Sequence, residues 1–401
     1  MPFFLLPVLT RYLSPDDYGI VAMFLLLAVL VEPLIGFSLP GAVGVRYFEP
    51  DSDISRYLGT GVLVAALAAS AAMIPLFVFR DQIEAVTRVP GTWVLLVIPL
   101  VFARTILNSC LSLLRTKELV FRYTVLQVGQ VGILVALILL LVVYAQLGWQ
   151  GRVTAEFLAL AIAATGSAWW LTSRRDVAWQ FVRAYASHLL AFGIPLIPHV
   201  IGGALIVQTD RLLLTNLVGL GQTGLYTVAA QLVLVIEIVA VSFNGAYSPW
   251  LFSNLTNADA TTRRRLVRLT YIQFAAMATL ALAVALLAPW LAATLLDPRY
   301  GAVSEYAGWL SLGFLFNSMY YMVTNYIFYA RRTGWLAAVT LTTGLINIPI
   351  TYVFIQARGG VGAAQATALA YGLGFVLTWI VSNRVYPMPW LEALRRRPDA
   401  R

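Results

Sequence analysis

Charge is scarce in this chain. Only 11% of its 401 residues are Asp, Glu, Lys or Arg, less than half the share of an ordinary soluble domain. Cysteine is nearly absent: Cys110 stands alone, which excludes an intramolecular disulfide and a cysteine-rich metal site. The two histidines, His188 and His199, are eleven residues apart and form no zinc-ligand pattern. No GxxxxGK[ST] loop occurs, which excludes a built-in P-loop ATPase, and HExxH and GxSxG are missing too. The net charge is +9, but the basic residues form short clusters rather than a stripe, so nucleic acid is not an expected partner. The run Pro2–Leu9 lacks a basic leader and a small-residue cleavage site, and is not expected to be a cleaved signal.

What the chain has in quantity is apolar surface. Apolar residues make up 60% of it, and the mean hydropathy is +0.81. A soluble domain could not cover its outside with the polar residues that remain. Lipid around most of the surface removes that demand. Helices satisfy their own backbone hydrogen bonds in lipid, and apolar runs of about twenty residues suit helices rather than barrel strands. The expected class is therefore an all-α polytopic membrane protein with no enzymatic centre and no cofactor. Spans are read at about 2–14, 18–40, 57–79, 92–114, 123–145, 154–172, 187–209, 222–245, 269–291, 306–328, 334–356 and 362–383. The first is too short to cross roughly 30 Å of hydrocarbon, so it reads as truncated, with the true start upstream of Met1.

Arg and Lys orient these spans. The connections after even-numbered spans, with the C-terminus, hold 19 of them, and those after odd-numbered spans hold 6. That asymmetry places the even connections and both termini in the cytoplasm. A basic tail over 391–401 is expected to lie against anionic headgroups.

An internal repeat divides the chain. Gly19 and Glu32 recur as Gly224 and Glu237 at an offset of 205, and Ser38-Leu39-Pro40-Gly41-Ala42 faces Ser242-Phe243-Asn244-Gly245-Ala246. The halves are expected at 1–180 and 181–390. Six spans in each half start both on the same side, which makes a parallel pair of six-helix lobes.

Ionisable residues inside spans are expensive in lipid and mark functional positions. Glu32 and Glu237 are candidates for ion coupling or for shaping a cavity, with a neutral, hydrogen-bonded carboxyl as the alternative. Arg104, near the middle of span 4, is either a site for a phosphate or the partner of a glutamate. Asp210 and Arg211 form a salt bridge or line a cavity rim. His199 is a packing histidine or a group titrating near neutral pH. Arg46 lies in a mixed-charge loop with Glu49, Asp51, Asp53 and Arg56, where it could meet a headgroup. The run Gly359-Gly360-Val361-Gly362 is expected to make a tight turn between spans.

Four stretches carry a family likeness. They are LLPVLTRYLSPDDYGIVA (Leu5–Ala22), QTDRLLLTNLVGLGQTGLYTVAAQL (Gln208–Leu232), DPRYGAV (Asp297–Val303) and GLINIPITYVFIQARGGVGAAQATALAYG (Gly344–Gly372). With Asp210, Arg211, Gly219, Gly224, Tyr226, Ala229 and Asn347 in place, the chain resembles the Wzx-type lipid-linked oligosaccharide flippases of the multidrug/oligosaccharidyl-lipid/polysaccharide exporter superfamily. The resemblance implies carriage of an undecaprenyl-pyrophosphate-linked oligosaccharide from the cytoplasmic to the outer leaflet of a bacterial inner membrane. The process would be alternating access, driven by an H+ or Na+ gradient, in the assembly of O-antigen or exopolysaccharide. It further implies a polysaccharide polymerase and assembly proteins as partners. A cation-coupled multidrug-type exporter and a membrane polymerase or scaffold of glycan assembly are the alternative functions.

Overall fold

The protein is described by a computed structural model. It covers residues 2–49, 53–256 and 258–392, without the side chains of 2–4, 199, 205–207 and 333. Asp51 and the end of the basic tail, 393–401, lie outside the described residues. No β-strand occurs among the described residues.

The helices follow the expected spans. In the first part of the chain they are α1 (Pro2–Tyr12), α2 (Pro15–Gly36), α3 (Leu39–Arg46), α4 (Ile54–Val78), α5 (Arg80–Thr87), α6 (Gly91–Val94) and α7 (Val97–Thr116). Next come α8 (Val120–Ile138), extended by a π turn over Leu139–Tyr144, then α9 (Gly148–Ser173), α10 (Arg183–Gly193) and α11 (Ile197–Leu217). A short 3-10 turn, Ile194–Leu196, joins the last two where Pro195 interrupts the amide ladder. The chain continues with α12 (Leu220–Leu255), α13 (Ala260–Leu295), α14 (Val303–Tyr329) and α15 (Thr333–Val385). Among the described residues, nine helices are long and apolar enough to cross a membrane. Counting both arms of α15 and the spans that fall short of that measure, the fold has about twelve membrane helices. One of the latter is α14, whose hydropathy is lowered by asparagine and tyrosine residues that prove important below.

At 53 residues, α15 would be about 80 Å long as one rod, more than twice a bilayer core. It is two arms joined at Gly359, whose φ of 56° and ψ of −134° leave the helical region. The arms then pack backbone to backbone: a methyl on Gly362 would lie 1.9 Å from the Phe354 carbonyl oxygen. The glycine run thus forms the expected tight turn. Gly359→Ala is expected to destabilise the protein by about 1–3 kcal/mol, since that backbone region belongs to glycine. The check is a lower unfolding temperature in detergent, and an unchanged one would contradict it.

Span 2 breaks where one helix was expected. Phe37 and Ser38 both take left-handed conformations, with φ of 43° and 54°, and α3 restarts at Leu39. Pro40 explains the break, because it has no N–H to give the Gly36 carbonyl. In the repeat, Asn244 stands at the matching position, and α12 runs through it unbroken.

Packing groups the chain into two compact units, Phe3–Gly224 and a second beginning at Leu225. This division falls later than the repeat boundary read after residue 180. The reason is local burial: α10 packs on α4, α11 packs on α2 and α5, and Leu212 and Leu220 cover the core of the first unit. That core joins Phe24 of α2, Leu100 and Val101 of α7 and Leu160 of α9. A second cluster joins Leu39, Leu58, Leu113 and Leu189. The first unit also takes in the first turn of α12, which meets the first turn of α2. The two repeat-related glycines lie at this crossing. A methyl on Gly19 would lie 2.3 Å from the Leu220 carbonyl oxygen, and one on Gly224 would lie 1.8 Å from that of Pro15. In the second unit, Tyr247, Leu251, Met322, Tyr326 and Phe375 form the centre. Large apolar side chains are also left on the outside, with Leu286 70% and Leu345 69% exposed. Hydrocarbon solvates such side chains without the penalty that water would impose.

Candidate functional site

The first unit holds an ion pair within its spans. Arg104 Nη1 lies 3.5 Å from Glu32 Oε2, which joins α7 to α2. The guanidinium is mostly covered, at 19% side-chain exposure, while the carboxylate is 36% exposed. The two sequence readings of Arg104, phosphate site and glutamate partner, are therefore compatible in this geometry. A guanidinium has five donors in a planar fork, so one carboxylate oxygen at 3.5 Å leaves capacity for a second anion. Around the pair the helices come close. Gly36 faces Thr105, and the Ser112 hydroxyl donates to the Pro40 carbonyl at 2.6 Å. This bond ties the start of α3 to the helix that carries Arg104.

In the second unit the repeat-related glutamate meets neutral donors among the described residues. The Glu237 carboxylate accepts from Tyr321 Oη at 2.6 Å and from Asn317 Nδ2 at 2.9 Å. Asn317 and Tyr321 are four residues apart, on one face of α14. The row continues one turn further, where Asn325 Nδ2 donates to Asn244 Oδ1 at 2.8 Å and the Ser248 hydroxyl donates to Asn325 Oδ1 at 3.1 Å. A polar seam about 12 Å long thus runs between α12 and α14, three positions at 1.5 Å per residue. Sequence reading found Glu237 but missed Asn317, Tyr321, Asn325 and Asn244. The available signal was the four-residue spacing of polar side chains within an apolar run. In each unit the repeat-related glutamate faces the same helix of its half, the fourth span of six.

Arg46 has a different set of partners. At the end of α3 it is ion-paired with Glu49, and its guanidinium lies over the rings of Tyr185 and Tyr57, at 5.7 and 6.0 Å. The Tyr57 hydroxyl meets His188 Nδ1 at 3.1 Å. Buried Nε of Arg46 has no hydrogen-bond partner among the described residues. Asp210 is nearly buried, at 6% exposure, and Arg211 Nη1 lies 3.9 Å from it and 2.5 Å from Gln208 Oε1. All three residues lie on α11. His199 falls in α11, with its side chain outside the described residues.

Comparison with known proteins gives the fold a place. The chain is 20% identical over 393 residues to a protein of the Lsg locus of Haemophilus influenzae, covering 92% of this chain and 93% of that one. Its fold is similar to an inward-facing multidrug resistance MATE family transporter of the MOP superfamily, with a TM-score of 0.76 and 14% identity. That likeness covers 94% of this chain and 92% of the transporter. It is also similar to the lipid II flippase MurJ in an inward closed conformation, with a TM-score of 0.72 and 15% identity. Here 92% of this chain and 81% of MurJ are covered. The sequence pattern described as polysaccharide biosynthesis protein matches residues 8–264, the larger part of the chain. With a multi-pass helical fold and a match of that extent, the chain belongs to the polysaccharide biosynthesis protein family.

Proposed function

We propose that this protein is a flippase that carries a prenyl-pyrophosphate-linked oligosaccharide from the cytoplasmic to the outer leaflet of a bacterial inner membrane, for surface polysaccharide assembly. The observation that carries the reading is Arg104, a covered guanidinium in mid-span with one carboxylate near it. A saccharide cannot cross hydrocarbon without losing the hydration of many hydroxyls and of a charged pyrophosphate. A polar path with a fixed cation removes both penalties, while the prenyl tail stays in lipid. Arriving pyrophosphate would compete with Glu32 for the guanidinium. Glu32, left without its cation, would then be the group that meets the coupling ion. Substrate binding and proton binding would then be linked at one pair of residues, and alternating access would move both. Glu237, held by neutral donors, is the second coupling group, and the drive is an H+ or Na+ gradient. Cytoplasmic placement of both termini rests on the Arg and Lys asymmetry. A polysaccharide polymerase and assembly proteins are the natural partners for the product.

The test is reconstitution into vesicles with a fluorescent prenyl-pyrophosphate oligosaccharide. Leaflet exchange should exceed that of empty vesicles and respond to an imposed pH gradient. Exchange no faster than in empty vesicles, with folded protein verified, would reject the reading. A second reading, export of small organic cations, draws on Glu237, whose carboxylate accepts from the neutral donors Asn317 and Tyr321 in its seam. Accumulation of an organic cation in the same vesicles, without lipid exchange, would favour it. In either case, Glu32→Gln with Glu237→Gln is expected to flatten the pH dependence of transport. An unchanged pH profile would exclude proton coupling by this pair.

A further inference from the structure

The second unit contains a cavity of about 740 Å³ between α14 and the two arms of α15. Its volume lies within the roughly 300–1,000 Å³ range of small-ligand sites. The rings of Phe316, Phe354 and Phe375 form its walls. Small residues, Ala368 and Gly372, line it where the second arm of α15 packs closely on α14: a methyl on Gly372 would lie 3.2 Å from the Phe316 ring. Arg358 is the one charged residue of the lining, and its Nη1 donates to the buried Gln365 Oε1 at 3.3 Å. Arg358 lies beside the Gly359 turn, at an end of both arms. By the charge asymmetry of the connections, this end faces outward. The result is an apolar trough with a single cation at its membrane-boundary end.

We infer that this trough holds the first isoprenoid units of a polyprenyl pyrophosphate, with Arg358 against the pyrophosphate, at the outer leaflet. The inference rests on the flippase reading and adds a tail site to it. Charge complementarity selects an anionic amphiphile: a guanidinium with donors to spare over hydrocarbon-lined space binds a phosphate and a chain together. The cavity is too small for a complete long prenyl tail, so the rest of the chain stays in lipid. Such a site would hold the carrier while its saccharide leaves the polar path, and so give product release a defined place.

The experiment uses purified full-length protein in phosphatidylcholine nanodiscs and a photoreactive polyprenyl pyrophosphate carrying its label near the pyrophosphate. Labelling is expected on residues 309–316 and 353–376. Unlabelled polyprenyl pyrophosphate should displace it at about tenfold lower concentration than phosphatidylglycerol, an affinity ratio read directly from the competition. Val353 and Leu369 line the trough and are already 60% and 48% exposed, so Val353→Trp and Leu369→Trp fill it without entering the packed core. Each should lower labelling by about tenfold, whereas Leu341→Trp, at an exposed position off the trough, should not. Arg358→Gln should weaken the pyrophosphate probe and leave the matching prenol unchanged. Labelling spread evenly over the lipid-exposed helices, equal displacement by phosphatidylglycerol, or wild-type labelling of both tryptophan variants would overturn the inference. The outcomes separate the two proposals. Flipping without trough labelling removes the tail site and keeps the flippase. Trough labelling without flipping does the reverse.

Discussion

Replacing Arg104 with alanine is expected to cut leaflet exchange by at least about tenfold, and Arg104→Lys by much less. Two effects add in the alanine variant. The pyrophosphate loses its cation, and Glu32 is left in a span without its partner. Breaking a fully buried pair costs about 3–5 kcal/mol, and an exposed pair contributes about 0–1. The Glu32 carboxylate is 36% exposed, so a loss of about 1–3 kcal/mol in stability is the reasonable scale. The double variant Arg104→Ala with Glu32→Gln separates the two effects, because it removes the orphaned charge and not the lost anion site. Unfolding temperature in detergent should recover in the double variant, while exchange should stay low. Recovery of exchange together with stability would make Arg104 a structural partner of Glu32 and no more. Wild-type exchange in Arg104→Ala alone would reject the anion site.

Gly224→Leu is expected to prevent correct assembly of the first unit. The position has no space for even one carbon, because the Pro15 carbonyl oxygen would sit 1.8 Å from a new Cβ. The obstacle is backbone rather than a flexible side chain, so the first turns of α2 and α12 would have to separate. Overpacking typically costs about 1–3 kcal/mol, and a rigid backbone obstacle belongs at or above the upper end. Gly19→Leu meets the Leu220 carbonyl in the same crossing and should behave alike. Gly132→Leu is the control, since that glycine of α8 has nothing within 4 Å of the added carbon. Size-exclusion profiles in detergent and tryptophan-fluorescence melting read the result. Monodisperse Gly224→Leu protein with wild-type melting would show that the crossing tolerates separation.

Much of the site was legible, but its partnerships were not. Glu32, Glu237 and Arg104 stood out because a charge in an apolar run is visible in one dimension. That Arg104 belongs to Glu32 was not visible, since α2 and α7 are distant in sequence and meet only by packing. Asn317 and Tyr321 escaped notice because neither is charged, and a neutral donor in a span is common enough to be unremarked. The missing N–H of Pro40 is visible in the sequence, but the form of the break, two left-handed residues at Phe37 and Ser38, is not. The pair Pro40 and Asn244 shows how the halves diverged. One site exposes a backbone carbonyl to Ser112, while the other keeps its helix and offers a side-chain amide to Asn325.

The sequence by itself determined the helical membrane character, the approximate spans, the internal repeat and the positions of its two glutamates. These follow from short-range quantities: apolar run length, Gly and Pro punctuation, and similarity at a fixed offset. Tertiary structure alone decided how each glutamate is satisfied, by a guanidinium in the first unit and by neutral hydroxyl and amide donors in the second. It also decided where the compact units divide. The physical reason is the same in both cases. Each carboxylate meets the partner that helix packing brings beside it, and helix packing is set by burial summed over distant segments rather than by any local pattern.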